Sequence, residues 1–222
     1  MAGQSQGIAT ELLQTLIRNE CVNDGTRDSG AETRNAELLT NYLEGATTEI
    51  ESFASVEGRA SVVSRIEGSD PDAPTLCLMA HTDVVPVNPD GWSRDPFGGE
   101  LIDGEVWGRG AIDMLNMTAT MAVAFRQLAD SGWQPKGTLI YFGVADEEAG
   151  GVHGAKFMTE QHWDAIGADY VLTEMGGFPA GKSEPRRAVI NVAEKGIAGR
   201  RLRVTGTPGH GSMPFRKDNA LV

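Results

Sequence analysis

Apolar side chains recur at helical spacing over residues 8–18, where Ile8, Leu12, Leu13, Leu16 and Ile17 share one face. A second amphipathic helix is predicted over residues 32–43. Two strand-like segments follow at 50–56 and 60–66. Residues 75–79 form a short apolar run that ends in His81 and reads as a buried parallel strand. Residues 84–99, rich in Pro, Gly and Asp, predict a long loop, and Asp103-Gly104 between apolar flanks predicts a hairpin over 101–107. A long helix is expected from near Asp113 to about Leu128. Another buried strand follows at 138–144, then an acidic loop at 146–151, a short helix at 155–162 and a strand at 170–173.

Strand–helix–strand alternation of this kind predicts an α/β fold, a mostly parallel sheet with helices on both faces. Ligand sites in such sheets lie beyond the carboxyl ends of the strands, and the polar motifs of this chain fall just after strands. Near residue 186 the pattern changes: residues 188–193 and 200–204 read as two strands separated by Lys195-Gly196, with no helix between them. The expected division is therefore a catalytic domain over 1–186 and the start of a second, α+β domain over 187–222.

Composition narrows the classes. The 28 glycines exceed the usual share and sit largely in short loops, which suits an enzyme whose chemistry is carried on loops. A formal charge of −12 with no basic stripe argues against nucleic acid and against an anionic membrane surface as partners. Two cysteines make no disulfide framework, and Cys77 in its apolar run reads as a small core residue. No basic head followed by an apolar stretch opens the chain, and no apolar run approaches the length of a bilayer span, so a cytoplasmic protein is expected.

Four loops carry metal-capable groups: His81-Thr82-Asp83, Asp113, Asp146-Glu147-Glu148 and Glu174. Histidine with carboxylates suits zinc and also holds cobalt or manganese. Taken singly each has an ordinary explanation. A lone strand-end histidine is usually a hydrogen-bonding or surface residue. The acidic run is a solvated turn, Asp113 a helix N-cap and Glu174 an exposed loop acid. Four such loops on one sheet edge weigh more than any one of them.

The residues also carry a resemblance. Residues 79–86 (MAHTDVVP), 108–114 (GRGAIDM), 146–151 (DEEAGG), 173–177 (TEMGG) and 206–214 (GTPGHGSMP) resemble, in order, the signatures of the M20 peptidase/aminoacylase family. The resemblance runs from the first helix to the end of the chain. It implies a zinc-exopeptidase-like fold, two divalent metal ions (zinc favoured, cobalt or manganese possible) and a homodimer. It implies that His81 and Glu174 bind one ion, that Glu148 binds the other and that Asp113 bridges them. Asp83 would hydrogen-bond the second ring nitrogen of His81. Glu147 would be the general base acting on a metal-bridging water, and His210, from a lid domain, would polarise the substrate carbonyl in the neighbouring subunit's site.

The sequence departs from the family pattern in two places. Leu115-Asn116 stands where many relatives have Lys-Gly, and the chain ends at Val222, before the position of the family's second metal-binding histidine. His153 and His162 fit no family position and read as structural or exposed. The function implied is a metal-dependent hydrolase that cleaves an amide or peptide bond in N-acyl amino acids or dipeptides. The alternative is an inactive fragment or pseudoenzyme that only binds metal or a partner, and the 222-residue chain is expected to show little turnover.

Overall fold

The computed structural model describes residues 2–45, 49–175, 178–181, 187–193, 196, 199–207, 209–210 and 212. It forms two compact units, Met1–Met175 and Gly176–Val222. The first holds helices α1 (Ala2–Arg18), α2 (Thr33–Leu43), α3 (Leu115–Asp130), α4 (Phe157–Gln161) and α5 (Trp163–Ile166). Its strands are β1 (Glu49–Ala54), β2 (Ala60–Ile66), β3 (Leu76–His81), β4 (Glu100–Ile102), β5 (Glu105–Trp107), β6 (Leu139–Val144) and β7 (Tyr170–Leu172).

The main sheet has the order β1-β2-β6-β3-β7. Strand β3 runs parallel to both β6 and β7, whereas β1–β2 and β2–β6 are antiparallel. The α/β class follows from the alternation, and the parallel half is the half that carries the site. All six residues of β6 are buried, as its unbroken apolar run requires of a central strand. Successive side chains point to opposite faces. Leu139 and Tyr141 join Leu16, Ile17, Leu39, Leu43, Leu115 and Phe125 from α1, α2 and α3. Ile140, Phe142 and Val144 join Met158 of α4 and Ile166 of α5. Helices therefore cover both faces.

Strands β4 and β5 form the expected hairpin, with Asp103 at φ 51° and Gly104 at φ 86°, the pair of left-handed residues a tight two-residue turn needs. Helix α3 begins at Leu115, and Met114 stands at its N-cap position without a side-chain bond, so Asp113 does not cap it. The short helix near 155 is preceded by a π-helical turn, Val152–Lys156.

In the second unit the strand expectation is corrected. The described strands are β8 (Phe178–Ala180) and β9 (Arg187–Val189), paired antiparallel. Residues 190–193 and 200–204 lie in no strand among the described residues, and Ile190, Val192 and Leu202 are exposed. The helix expected after Pro214 lies outside the described residues.

Candidate metal centre

Strand β3 ends on His81, whose side chain is only 1% exposed. The backbone around it is fixed: its N–H donates to Met114 Sδ at 3.3 Å, and its carbonyl accepts from Thr118 Oγ1 at 2.6 Å. One ring nitrogen, Nδ1, faces Asp83, with the backbone carbonyl at 3.0 Å and the carboxylate Oδ1 at 3.5 Å. The carbonyl is thus the nearer acceptor, and the carboxylate adds charge behind it. The other nitrogen, Nε2, meets Asp113 Oδ1 at 3.2 Å, Glu147 Oε2 at 3.8 Å and Glu174 Oε2 at 3.9 Å.

Three loops deliver those carboxylates. Asp113 lies in the turn before α3, shaped by Gly110 at φ 85°, where a Cβ would run into Val84 and Leu115. Glu174 follows β7. Glu147 and Glu148 follow β6, and their backbone N–H groups donate to Asp83 Oδ1 at 3.2 Å and Oδ2 at 3.1 Å. Asp83 therefore holds both the imidazole and the paired-glutamate loop. Ligand atoms of His81, Asp113 and Glu174 all lie within 4.8 Å of one another.

The electrostatics follow from this crowding. Burial disfavours a charged His81, but its hydrogen bond to Asp83 and the charges of Asp83, Glu147 and Glu174 push its pKa up to about 9. Burial, then the charge of Asp113 and a hydrogen bond from it, raise Glu174 to about 7 against the pull of His81. Glu147 and Glu148 are shifted upward too, first by burial. Asp83 moves the other way: burial would raise it, but bonds from His81, Asn23 and the Glu148 backbone hold it low. Carboxylates that raise one another's pKa around a neutralisable imidazole are a donor set that a divalent cation relieves. One histidine and two carboxylates within reach of a single point fit zinc, cobalt or manganese.

Residues 77–218 match the model of peptidase family M20/M25/M40. The chain belongs to this family. Among M20 relatives it is similar to an N-fatty-acyl-amino acid synthase/hydrolase of Danio rerio, with 37% identity over 74% of this chain and 33% of that protein. It is also similar to the succinyl-diaminopimelate desuccinylase of Rhodospirillum centenum, with 33% identity over 67% of this chain and 38% of that protein. In fold it is similar to human carnosine dipeptidase 1, with TM-score 0.58, 21% identity, and 78% of this chain and 40% of that one covered. An M20 metallo-carboxypeptidase of Sulfolobus solfataricus gives TM-score 0.59 at 22% identity, covering 78% of this chain and 37% of that one. The chain spans about a third of the length of the curated relatives it matches first.

His210 belongs to the second unit, where it is exposed and Nδ1 pairs with Ser212 Oγ at 2.8 Å. Parts of its motif (Pro208, Gly211, Met213, Pro214) lie outside the described residues, as do Gly176 and Gly177 after Glu174. His153 Nδ1 pairs with Ser55 Oγ at 3.0 Å, and His162 packs against the rings of Phe53 and Phe157, both structural positions. No described helix is long and apolar enough to cross a membrane.

Sequence reasoning missed the layer beneath the site. Both carboxylate oxygens of Asp146 are engaged: its Oδ1 accepts from Asn23 at 3.0 Å and Arg59 at 3.3 Å, and its Oδ2 accepts from the His153 N–H at 2.8 Å. Arg59 also donates to Glu32 at 2.8 Å, and both side chains are nearly fully buried. The one available signal was Arg59 itself, a charge leading directly into the strand 60–66.

Proposed function

We propose that this chain carries the metal centre of a hydrolase that cleaves an amide or peptide bond beside a free carboxylate in N-acyl amino acids or dipeptides. The observation that carries the reading is the convergence of Asp113, Glu147 and Glu174 on one nitrogen of His81 while Asp83 holds the other. His81, Asp113 and Glu174 would hold one divalent ion, and Asp113 with Glu148 would contribute to a second, zinc being favoured over cobalt or manganese. Ions bound there supply Lewis acidity, polarising the scissile carbonyl and making water a stronger acid.

Glu147 is the general base of this reading. Its side chain is about half exposed, 49%, so water and substrate reach it, and its upward-shifted carboxyl lies nearer neutrality than an ordinary glutamate. It takes a proton from the attacking water as the C–O bond forms, and returns that proton to the leaving nitrogen as the C–N bond then breaks. Asp83 keeps the imidazole in one tautomer. His210 would polarise the carbonyl oxygen from the partner protomer of a homodimer, and the protein would act in the cytoplasm.

The test is turnover of a panel of N-acyl amino acids and dipeptides by the intact protein, before and after chelation and after zinc or cobalt is restored. Metal-dependent release of the free amino acid is the expected result. Stoichiometric metal without turnover of any member would return the chain to the alternative of a binding module.

A further inference from the structure

We infer that Asn23 is a positioning residue of the metal centre: its amide ties Asp83 to Asp146 and so sets where Glu147 and Glu148 stand against His81. The inference rests on the reading of those residues as one metal-dependent site.

Asn23 lies in the connector after α1, and that connector is pinned beside the exit of β3. Val22 forms a parallel bridge with Val84, the Asn23 N–H donates to the Val84 carbonyl at 2.8 Å, and the Val84 N–H donates to the Cys21 carbonyl at 3.0 Å. The asparagine is 2% exposed. Its Nδ2 donates to Asp83 Oδ2 at 2.8 Å and to Asp146 Oδ1 at 3.0 Å. Its Oδ1 accepts from the Gly25 N–H at 3.1 Å and faces Ser29 Oγ at 3.4 Å. That pairing fixes the sense of the amide, since a flipped carboxamide would set its oxygen against two carboxylates.

The two carboxylates joined in this way control both ends of the paired-glutamate segment. Asp83 accepts the Glu147 and Glu148 N–H groups on its two oxygens and stands behind the His81 ring. Asp146 opens the loop in a left-handed conformation, φ 64°, and accepts the His153 N–H that begins the turn beyond it. Arg59 supplies positive charge to Asp146 and Glu32, whereas Asn23 supplies the neutral double donor that bridges Asp146 and Asp83. Replacing it frees the Asp83 carboxylate to rotate, and the glutamate amides lose their fixed acceptor.

The test compares Asn23→Ala and Asn23→Asp with wild type and with Val63→Ala, which trims the core cluster on the α4–α5 face and controls for general loss of stability. Asn23→Asp keeps the shape but sets a third buried carboxylate against Asp83 and Asp146, so Asn23→Ala, which removes the donors without adding charge, is the deciding variant. Should either fail to fold, Asn23→Ser keeps one donor and serves in its place. Two readouts are taken on the intact protein. In metal-free protein, amide exchange at Glu147 and Glu148 should speed up about tenfold or more relative to Ile140 and Phe142, the loss of one charge-assisted hydrogen bond. In cobalt-loaded protein, affinity should fall about 10–100-fold and the visible absorption bands should change. Unchanged exchange and an unchanged cobalt spectrum, or equal changes in Val63→Ala, overturn the positioning role. A wild type that takes up no cobalt overturns the metal reading instead, and the exchange rates still decide the role of Asn23.

Discussion

His81 offers one nitrogen to the carboxylates because Asp83 occupies the other, at 3.0 Å through its carbonyl and 3.5 Å through its side chain. The tautomer is thereby set, and Nε2 is left as the acceptor available to a cation. Asp113 stands nearest to it, at 3.2 Å, with a side chain 67% exposed. Asp113→Ala should therefore leave the fold intact, within about 0.5 kcal/mol, because an exposed carboxylate contributes little to packing. Its metal affinity should fall by at least about 100-fold, the upper end of what even outer-shell partners cost. A melt without metal and a metal titration separate the two effects, and full occupancy in the variant would remove Asp113 from the ligand set. Glu147→Gln keeps size and hydrogen bonding but cannot take a proton. Metal content should stay near wild type while turnover of the intact enzyme drops about 10²–10⁴-fold. Loss of metal instead would make Glu147 a ligand.

At the scale of elements, three parallel strands and the turns after them place His81, Glu147 and Glu174, and the turn before α3 adds Asp113. The turn after β6 is locked by Gly154, where a Cβ would meet the Ala145 carbonyl oxygen at 1.7 Å. That atom is backbone and cannot give way, so Gly154→Ala should cost more than about 1–3 kcal/mol, read as a lower denaturant midpoint at unchanged slope. The buried set Glu32–Arg59–Asp146 is the second device of this kind. Arg59→Met leaves two buried carboxylates uncompensated and should destabilise by about 3–5 kcal/mol, whereas an exposed pair such as Arg94–Glu100 should cost under about 1 kcal/mol when broken. Element positions were legible because their apolar periodicity is a property of short windows. The reversal of β1 and β2 was not, since periodicity carries no strand direction. Nor was the Arg59 set, because positions 32, 59 and 146 meet only after the sheet has formed. Residues 200–204 show the converse: alternating apolar side chains satisfy a window rule, yet the segment lies in no strand among the described residues.

At the scale of the whole molecule, His81 and Glu174 were legible because one ends β3 and the other follows β7, parallel strands that end on one edge, whereas Asp113 reaches them from the turn between the β4–β5 hairpin and α3. The pKa shifts there make metal binding, pH and stability one problem. In the metal-free fold His81 is raised from 6.5 to about 9, so the stability it contributes is complete below 6.5 and is lost as pH climbs through 9. Glu174 is raised from 4.5 to about 7, so the fold is favoured while it keeps its proton, and that contribution is lost as pH climbs from 4.5 through 7. Both terms make the metal-free first unit weaker as pH rises across this window. A divalent ion needs those same groups deprotonated and removes the repulsion among them, so protons compete with it. At 100 times its dissociation constant an ion adds about 2.7 kcal/mol to stability. At fixed zinc or cobalt concentration, the rise in melting temperature over chelated protein should therefore be small near pH 5, larger at pH 7 and larger again toward pH 9. Calorimetry at pH 7 in two buffers of different ionisation enthalpy should show protons released on uptake. A metal-induced shift that is flat with pH, or that shrinks as pH rises, would mean that His81 and Glu174 are not the groups the ion engages.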